Sequence, residues 1–425
     1  RHKSEISVVV LLLSEWTPTG MSAEGVVGSV RCVEEADLSQ FHTGTMIQQR
    51  AKRYGDKTVF NMIRGDDLHT LSYSDLWSKI QMTGKALSVL GGPEKPPVIG
   101  LLTYNQLNGV LVDLACLSFG IRVIPIPLNS TSEHLSFILK QSEVTHLFVG
   151  GKTAIRLWND VHHNYDILVI ALNDSSLIQG KVMDWEIFFE NRNRSQNFDV
   201  DQRLSYVSMD RTQTIMYTSG STANPKGITF NQSNIISKRF ARALALPEFG
   251  SDDIFLCYLP LFHTFGRYFE LMGSIFWGAT YSFAESPAFN SLLKDFPMVN
   301  PSIFISIPKR WVQLYEMLEK QVDMDSEDSE TIETKLKSIT GGKLKWGLSA
   351  AGYLDPDIFK FYQSHGVNVL SGYGMTEATG GITMTPPTEY IIDSVGIALP
   401  GITLKIANDG ELCLKGSYVT DGYYK

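Results

Sequence analysis

The 425-residue chain has ordinary apolar (43%) and charged (19%) fractions and a formal charge of −8, with length enough for two or three packed subdomains. The acidic balance excludes a general nucleic-acid binder, which needs a basic surface. Four cysteines (Cys32, Cys116, Cys257, Cys413) without C-x-x-C spacing exclude a disulfide framework and a zinc site, and suit reduced thiols in a cytoplasmic protein.

At the beginning, Arg1, His2 and Lys3 precede an apolar run from Ile6 to Leu13, and the first methionine is Met21. Glu5 and the missing small-residue cleavage site spoil a signal-peptide pattern, and the run is too short to cross a bilayer. Residues 1–20 therefore read as an appended or upstream extension, with a targeting leader as the lesser alternative. Residues 43–54 have helical periodicity, 59–62 and 69–73 form a hairpin around Gly65-Asp66-Asp67, and Ser74-Asp75 caps the next helix. Short apolar strands (98–102, 122–126, 146–149, 167–171) then alternate with helices (106–119, 132–141), the pattern of a mostly parallel sheet. His162-His163 has no Cys or carboxylate cluster at ligand spacing, which argues against a metal pair.

Residues 214–230 are the densest in chemistry-bearing groups. Ile215-Met216-Tyr217 reads as a buried strand; Thr218, Ser219, Gly220, Ser221, Thr222 and Ala223 follow, then a Pro225-Lys226-Gly227 turn. Closely spaced backbone N–H groups, hydroxyls and one cation are the parts needed to wrap a polyphosphate. This is not a Walker loop, because Gly227 rather than a hydroxyl residue follows Lys226. Read alone, the cluster is equally a flexible surface loop.

A helix (232–244) and a strand (254–258) lead to Pro260-Leu261-Phe262-His263. A position just past a strand is where α/β folds collect functional groups, although a histidine between Phe262 and Phe265 suits a packed core position better when read alone. Residues 268–276 read as a helix, 279–283 and 303–307 as strands, and 291–296 as a helix between those strands. The acidic, serine-rich stretch 323–333 lacks an EF-hand glycine and reads as a solvated loop or frayed helix. Strand 346–351 runs into Gly352, and strand 367–370 runs into a second glycine-flanked end, Ser371-Gly372-Tyr373-Gly374-Met375-Thr376-Glu377. From Tyr390 onward, short antiparallel strands alternate with Gly/Pro turns.

Residues 217–227, Pro260-Leu261-Phe262-His263, 372–377 and Gly410-Glu411-Leu412-Cys413-Leu414-Lys415-Gly416 together resemble, in order and spacing, the adenylate-forming superfamily: acyl-CoA synthetases, luciferases and the adenylation domains of peptide synthetases. The resemblance runs from about Phe41 to the end of the chain. More narrowly, 306–311 with Tyr315, and His263 followed by Arg267, resemble the long-chain fatty acyl-CoA synthetase branch, although Gly266 stands where long-chain members carry an acidic residue. The resemblance implies the superfamily's large domain over residues 21–425. Its parts would be two α/β subdomains of mostly parallel sheet flanked by helices, about 41–205 and about 206–386, the latter with the nucleotide site. A small β-barrel-like subdomain would begin over about 387–425.

The resemblance also implies the reaction. A carboxylic acid, a fatty acid on the narrower match, is activated by ATP to an acyl adenylate with release of pyrophosphate, and coenzyme A then takes the acyl group. Thr218, Ser219, Gly220, Ser221 and Thr222, with Lys226, would cradle the β- and γ-phosphates. Thr376 would donate to the α-phosphate, and Glu377 would ligate Mg²⁺. Tyr373 would stack on adenine, with Ala351, Gly352, Gly372 and Gly374 around the base, and His263 would lie beside the acyl carboxylate. Lys226, His263, Thr376 and Glu377 form the expected catalytic set.

Three departures from the superfamily pattern stand out. Ala223 replaces a loop glycine. Ser349-Ala350-Ala351-Gly352-Tyr353 replaces Ser-Gly-Gly-Ala-Pro, narrowing the wall between acyl pocket and adenine. The chain also stops before the ribose-binding aspartate and the C-terminal domain with the catalytic lysine, so little or no adenylation is expected of this chain by itself. Transfer to an acyl carrier protein, and a non-catalytic nucleotide-binding scaffold, are the alternatives. Peripheral membrane association is compatible with a cytoplasmic placement.

Overall fold

A computed structural model describes residues 40–91, 96–195, 198–218, 224–324, 328–387 and 393–425. The expectations for residues 1–20, for Ser219, Gly220, Ser221, Thr222 and Ala223, and for the strand start at Tyr390 lie outside the described residues.

Two seven-stranded sheets carry the fold. The chain first makes the hairpin β1 (Thr58–Arg64) and β2 (Asp67–Ser72). It continues through β3 (Val98–Thr103), β4 (Arg122–Pro125), β5 (His146–Gly150), β6 (Leu168–Ala171), β7 (Lys181–Asp184), β8 (Thr214–Thr218) and β9 (Lys226–Phe230). Then come β10 (Ile254–Cys257), β11 (Thr280–Phe283), β12 (Ile303–Ser306), β13 (Trp346–Ala350) and β14 (Asn368–Gly372). The first sheet has the order β7-β6-β5-β3-β4-β8-β9 and the second β14-β13-β12-β10-β11-β1-β2. All neighbours are parallel except the hairpins β1/β2 and β8/β9. The N-terminal hairpin thus belongs with the late strands and residues 214–230 with the early ones, so a boundary near residue 205 divides the sequence but not the sheets.

Helices cover these sheets, which is why their central strands are continuous apolar runs such as Leu147-Phe148-Val149 and Ile303-Phe304-Ile305, all buried. Strand order reverses between β3 and β5 and between β10 and β12, and the crevices at such carboxyl ends are where α/β folds bind ligands. Short antiparallel pairs come after β14, the longest joining Ile402–Ile406 to Leu412–Gly416. No helix among the described residues is long and apolar enough to cross a membrane.

Four helices flank or support the strand ends: α1 (Thr43–Tyr54), α2 (Tyr73–Ser88), α3 (Leu107–Ser118) and α4 (Gln232–Ala245). α2 is capped by Ser72, whose hydroxyl accepts from Asp75 N at 3.0 Å, rather than by Ser74 as the sequence suggested. Tyr73 is already helical, with its buried hydroxyl donating to Ala279 O at 2.7 Å. The last residues of the acidic stretch open a helix, Ser329–Thr340, which Asp328 caps by accepting from Thr331 N at 2.8 Å, while residues 325–327 lie outside the described residues. The segment expected to be helical from Tyr268 begins instead as a π-helix, Phe265–Leu271. At its start Gly266 lies so close to the carbonyls of Leu259 and Pro260 that a Cβ there would sit 2.5 Å from each oxygen. That contact accounts for a glycine in place of the acidic residue that the narrower resemblance implies.

The two sheets are tied together by a buried ion pair. Arg267, on the π-helix, donates from Nε to Asp113 Oδ2 at 2.8 Å and from Nη2 to Oδ1 at 2.5 Å; Asp113 lies on α3. Arg267 Nη1 also reaches Thr214 Oγ1 on β8 at 2.9 Å. Burial alone would lower the Arg267 pKa, but the Asp113 carboxylate overrides it and holds the group above its ordinary value. A second tie, Asn105, donates to Leu259 O at 2.8 Å and accepts from Leu261 N at 3.1 Å. The loop carrying His263 is therefore held from both sides.

Candidate active site

Strand ends of the second sheet converge on a cavity of ≈ 170 Å³. His263 and Thr264 enter it from the loop after β10, Ala351 from the loop after β13, and Gly372, Tyr373, Gly374 and Thr376 from β14 and its continuation. Six residues expected at the site thus line one cavity: His263, Ala351, Gly372, Tyr373, Gly374 and Thr376. Gly352, Glu377, Lys226 and Thr218 lie outside the cavity lining. A larger cavity of ≈ 540 Å³ beside Tyr104, Asn105 and Gln106 contains none of the expected residues.

His263 sits at the rim. Phe265 N donates to its Nδ1 at 3.2 Å, which places the ring proton on Nε2. Although the side chain reaches solvent, partial loss of hydration lowers its pKa, and Nε2 is the N–H it offers a ligand oxygen. Tyr373 has a fixed backbone, its carbonyl accepting from Ile382 N at 2.8 Å and Thr383 N at 3.1 Å, while its side chain is 44% exposed. A ring held this way offers a flat face to a planar ligand at little entropic cost. Ala351 has φ +64°, a left-handed conformation that strains any residue with a Cβ.

Thr218 and Lys226 are cross-strand partners on β8 and β9, so the Gly/Ser/Thr loop springs from the end of an antiparallel hairpin. Lys226 opens a strand rather than occupying a turn. Segment 418–424 docks this hairpin against the turn beyond β14 that carries Glu377: Thr420 N donates to Glu377 O at 2.7 Å, Tyr424 N to Gly227 O at 2.7 Å, and Tyr423 bridges to Ile228. Tyr423 then stands between the two charged groups. Its hydroxyl donates to Glu377 Oε1 at 2.9 Å, and the Lys226 ammonium lies 5.2 Å from its ring centroid. The hydrogen bond to Glu377 raises the Tyr423 pKa.

No three His, Cys, Asp or Glu side chains among the described residues gather as a metal site. A metal at Glu377 would therefore have one carboxylate and would take its other oxygens from a ligand and water. Mg²⁺ binds nucleotides in that way, so the residues present fit it.

Among the lining residues that sequence reasoning missed are three cations, Lys238, Arg239 and Arg242, all on α4 and all at most 4% exposed. The signal in the sequence was three cations within five residues among Ile235, Ile236, Ala241 and Ala243, a spacing that also fits a solvated helix face. Tyr423 was missed as well.

A family model described as "AMP-binding enzyme" matches residues 47–424. Among curated proteins, the chain is 24% identical to the peroxisomal long chain acyl-CoA synthetase 7 of Arabidopsis thaliana over 402 residues, 84% of this chain and 57% of that protein. Among solved structures, it resembles a long-chain-fatty-acid-CoA ligase (FadD1) from Archaeoglobus fulgidus with a TM-score of 0.72 at 18% identity, covering 91% of this chain and 77% of that one. The N-terminal domain of FACL13 from Mycobacterium tuberculosis, with bound inhibitor, gives a TM-score of 0.72 at 18% identity, covering 90% and 91%. The chain spans about 57–62% of the length of the first curated relatives it matches.

Proposed function

The chain belongs to the AMP-binding enzyme family, and from that premise we propose that it serves ATP-dependent activation of a carboxylic acid to an acyl adenylate, followed by thioester formation with coenzyme A. The observation that carries this reading is the shared cavity, lined by a hydrogen-bond donor (His263), an exposed aromatic face (Tyr373) and a hydroxyl (Thr376). Long-chain fatty acids are the acids that the curated relatives' names suggest.

The chemical problem is to hold a carboxylate in line with the α-phosphorus of an anionic nucleotide, so catalysis is chiefly positional and electrostatic. In this reading Tyr373 stacks on adenine, and the backbone around Ala351, Gly352, Gly372 and Gly374 follows the base edge. Thr376 donates to an α-phosphate oxygen. His263, protonated on Nε2, donates to one carboxylate oxygen of the acid and so helps to orient it. Lys226 and the loop from Thr218 to Thr222 face the departing pyrophosphate. Mg²⁺, held by Glu377 and phosphate oxygens, would supply charge neutralisation. Acid-dependent exchange of labelled pyrophosphate into ATP tests the reading, using a protein that contains this chain. Exchange that depends on acid and falls at least a hundredfold in Thr376→Val and Lys226→Met supports it. ATP binding without exchange for any acid contradicts it.

A further inference from the structure

The cavity is the wrong place for three buried cations if its occupant is an alkyl chain. Lys238, Arg239 and Arg242 are 1%, 2% and 4% exposed, and none forms an ion pair with a described carboxylate. Lys238 donates to Gly381 O and lies 3.9 Å from the centroid of the Tyr418 ring. Arg242 reaches Met384 Sδ at 3.3 Å and lies over Phe269, 4.3 Å from its ring centroid. Arg239 keeps Nε and Nη1 without a hydrogen-bond partner. Burying an unpaired guanidinium is costly, and three cations so close together on one helix repel each other. Burial lowers all three pKa values, Arg239 to about 9 and Arg242 to about 10, and the neighbouring cations depress Lys238 and Arg239 further. An anion in the cavity would relieve both costs.

We propose that the acid activated here carries a second anionic group, as an α,ω-dicarboxylic acid does, and that Arg239, flanked by Lys238 and Arg242, binds it. The inference rests on the acid-activation reading above and narrows its substrate class. Two observations favour this class over a long alkyl chain: the cationic lining, and the methyls of Ala350 and Ala351 in the wall. Lys238 and Arg242 are partly satisfied by protein, so Arg239 is the residue whose donors await the ligand.

Calorimetric titration decides it, comparing succinate, glutarate and adipate with butanoate, pentanoate and hexanoate in the presence of a non-hydrolysable ATP analogue. The expected result is at least tenfold tighter binding of the dicarboxylate at matched carbon number. That preference should collapse below twofold in Arg239→Met and recover in part in Arg239→Lys, which separates charge recognition from a packing defect. Equal or tighter binding of the monocarboxylates overturns the inference and leaves acid activation standing. So does a loss of nucleotide affinity in Arg239→Met with an unchanged acid preference, which would assign the cations to the nucleotide phosphate. Saturable nucleotide binding with no acid of either kind bound would overturn the activation reading, and this inference with it.

Discussion

The Tyr423 hydroxyl donates to Glu377 Oε1 at 2.9 Å, so the carboxylate proposed above to hold a metal is already engaged by a phenol. A metal at Glu377 has to displace or share that donor. The tyrosine is more than half exposed, so the bond contributes roughly 0.5–1 kcal/mol rather than the larger value of a buried charged pair. Tyr423→Phe should therefore tighten Mg²⁺-dependent ATP binding about two- to fivefold by calorimetry. Glu377→Gln should abolish the difference between titrations with Mg²⁺ and with EDTA. Weaker binding in Tyr423→Phe would show instead that the phenol helps to place the site.

The Arg267–Asp113 pair predicts an asymmetric mutational response. Arg267→Met leaves the Asp113 carboxylate buried and unpaired, and Thr214 without its donor, at a cost of about 3–5 kcal/mol in urea unfolding. Replacing both residues, Asp113→Leu with Arg267→Met, should recover most of that loss, because neither charge then remains. A double variant as unstable as the single one would contradict the account.

Ala351 predicts a gain. Its left-handed backbone costs about 1–2 kcal/mol, and glycine would relieve it while adding about 0.4–1 kcal/mol of unfolded-state entropy. Ala351→Gly should thus stabilise the protein by roughly 0.5–1 kcal/mol in chemical denaturation, and remove one methyl from the cavity wall.

His42 predicts acid sensitivity unrelated to the cavity. It caps α1 by accepting from Gly44 N at 3.1 Å and bonds Leu204 O at 3.0 Å, and burial lowers its pKa from 6.5 to about 4. The unfolded chain then binds a proton that the folded chain refuses. Stability from this group is full above about pH 6.5, falls as pH drops toward about 4, and levels off below, with a total loss of about 3 kcal/mol. His42→Asn, which keeps a capping acceptor, should flatten this part of a stability–pH profile.

Much of the fold was legible because parallel strands buried on both faces are continuous apolar runs, and the glycine-flanked strand ends stood out at 217–227 and 371–377. What stayed hidden has physical reasons. The π-helix at Phe265–Leu271 has the hydropathy of an ordinary buried helix, and the close approach of Gly266 to the carbonyls of Leu259 and Pro260 exists only once the chain has folded. Nothing in the sequence marks Lys238, Arg239 and Arg242 as buried, because charged residues usually face solvent, and only the packing of α4 beside residues 372–383 encloses them. Tyr423 meets Glu377 through a bridge to β9, a pairing that no spacing along the chain encodes.

The most direct test of acid activation is the affinity of a stable acyl-adenylate mimic, a 5′-O-(N-acylsulfamoyl)adenosine, measured by calorimetry on this chain. A site built for the acyl adenylate should bind the mimic at least a hundredfold more tightly than either AMP or the free acid, and lose that advantage in His263→Ala and Tyr373→Ala. Binding no tighter than that of AMP would contradict the account.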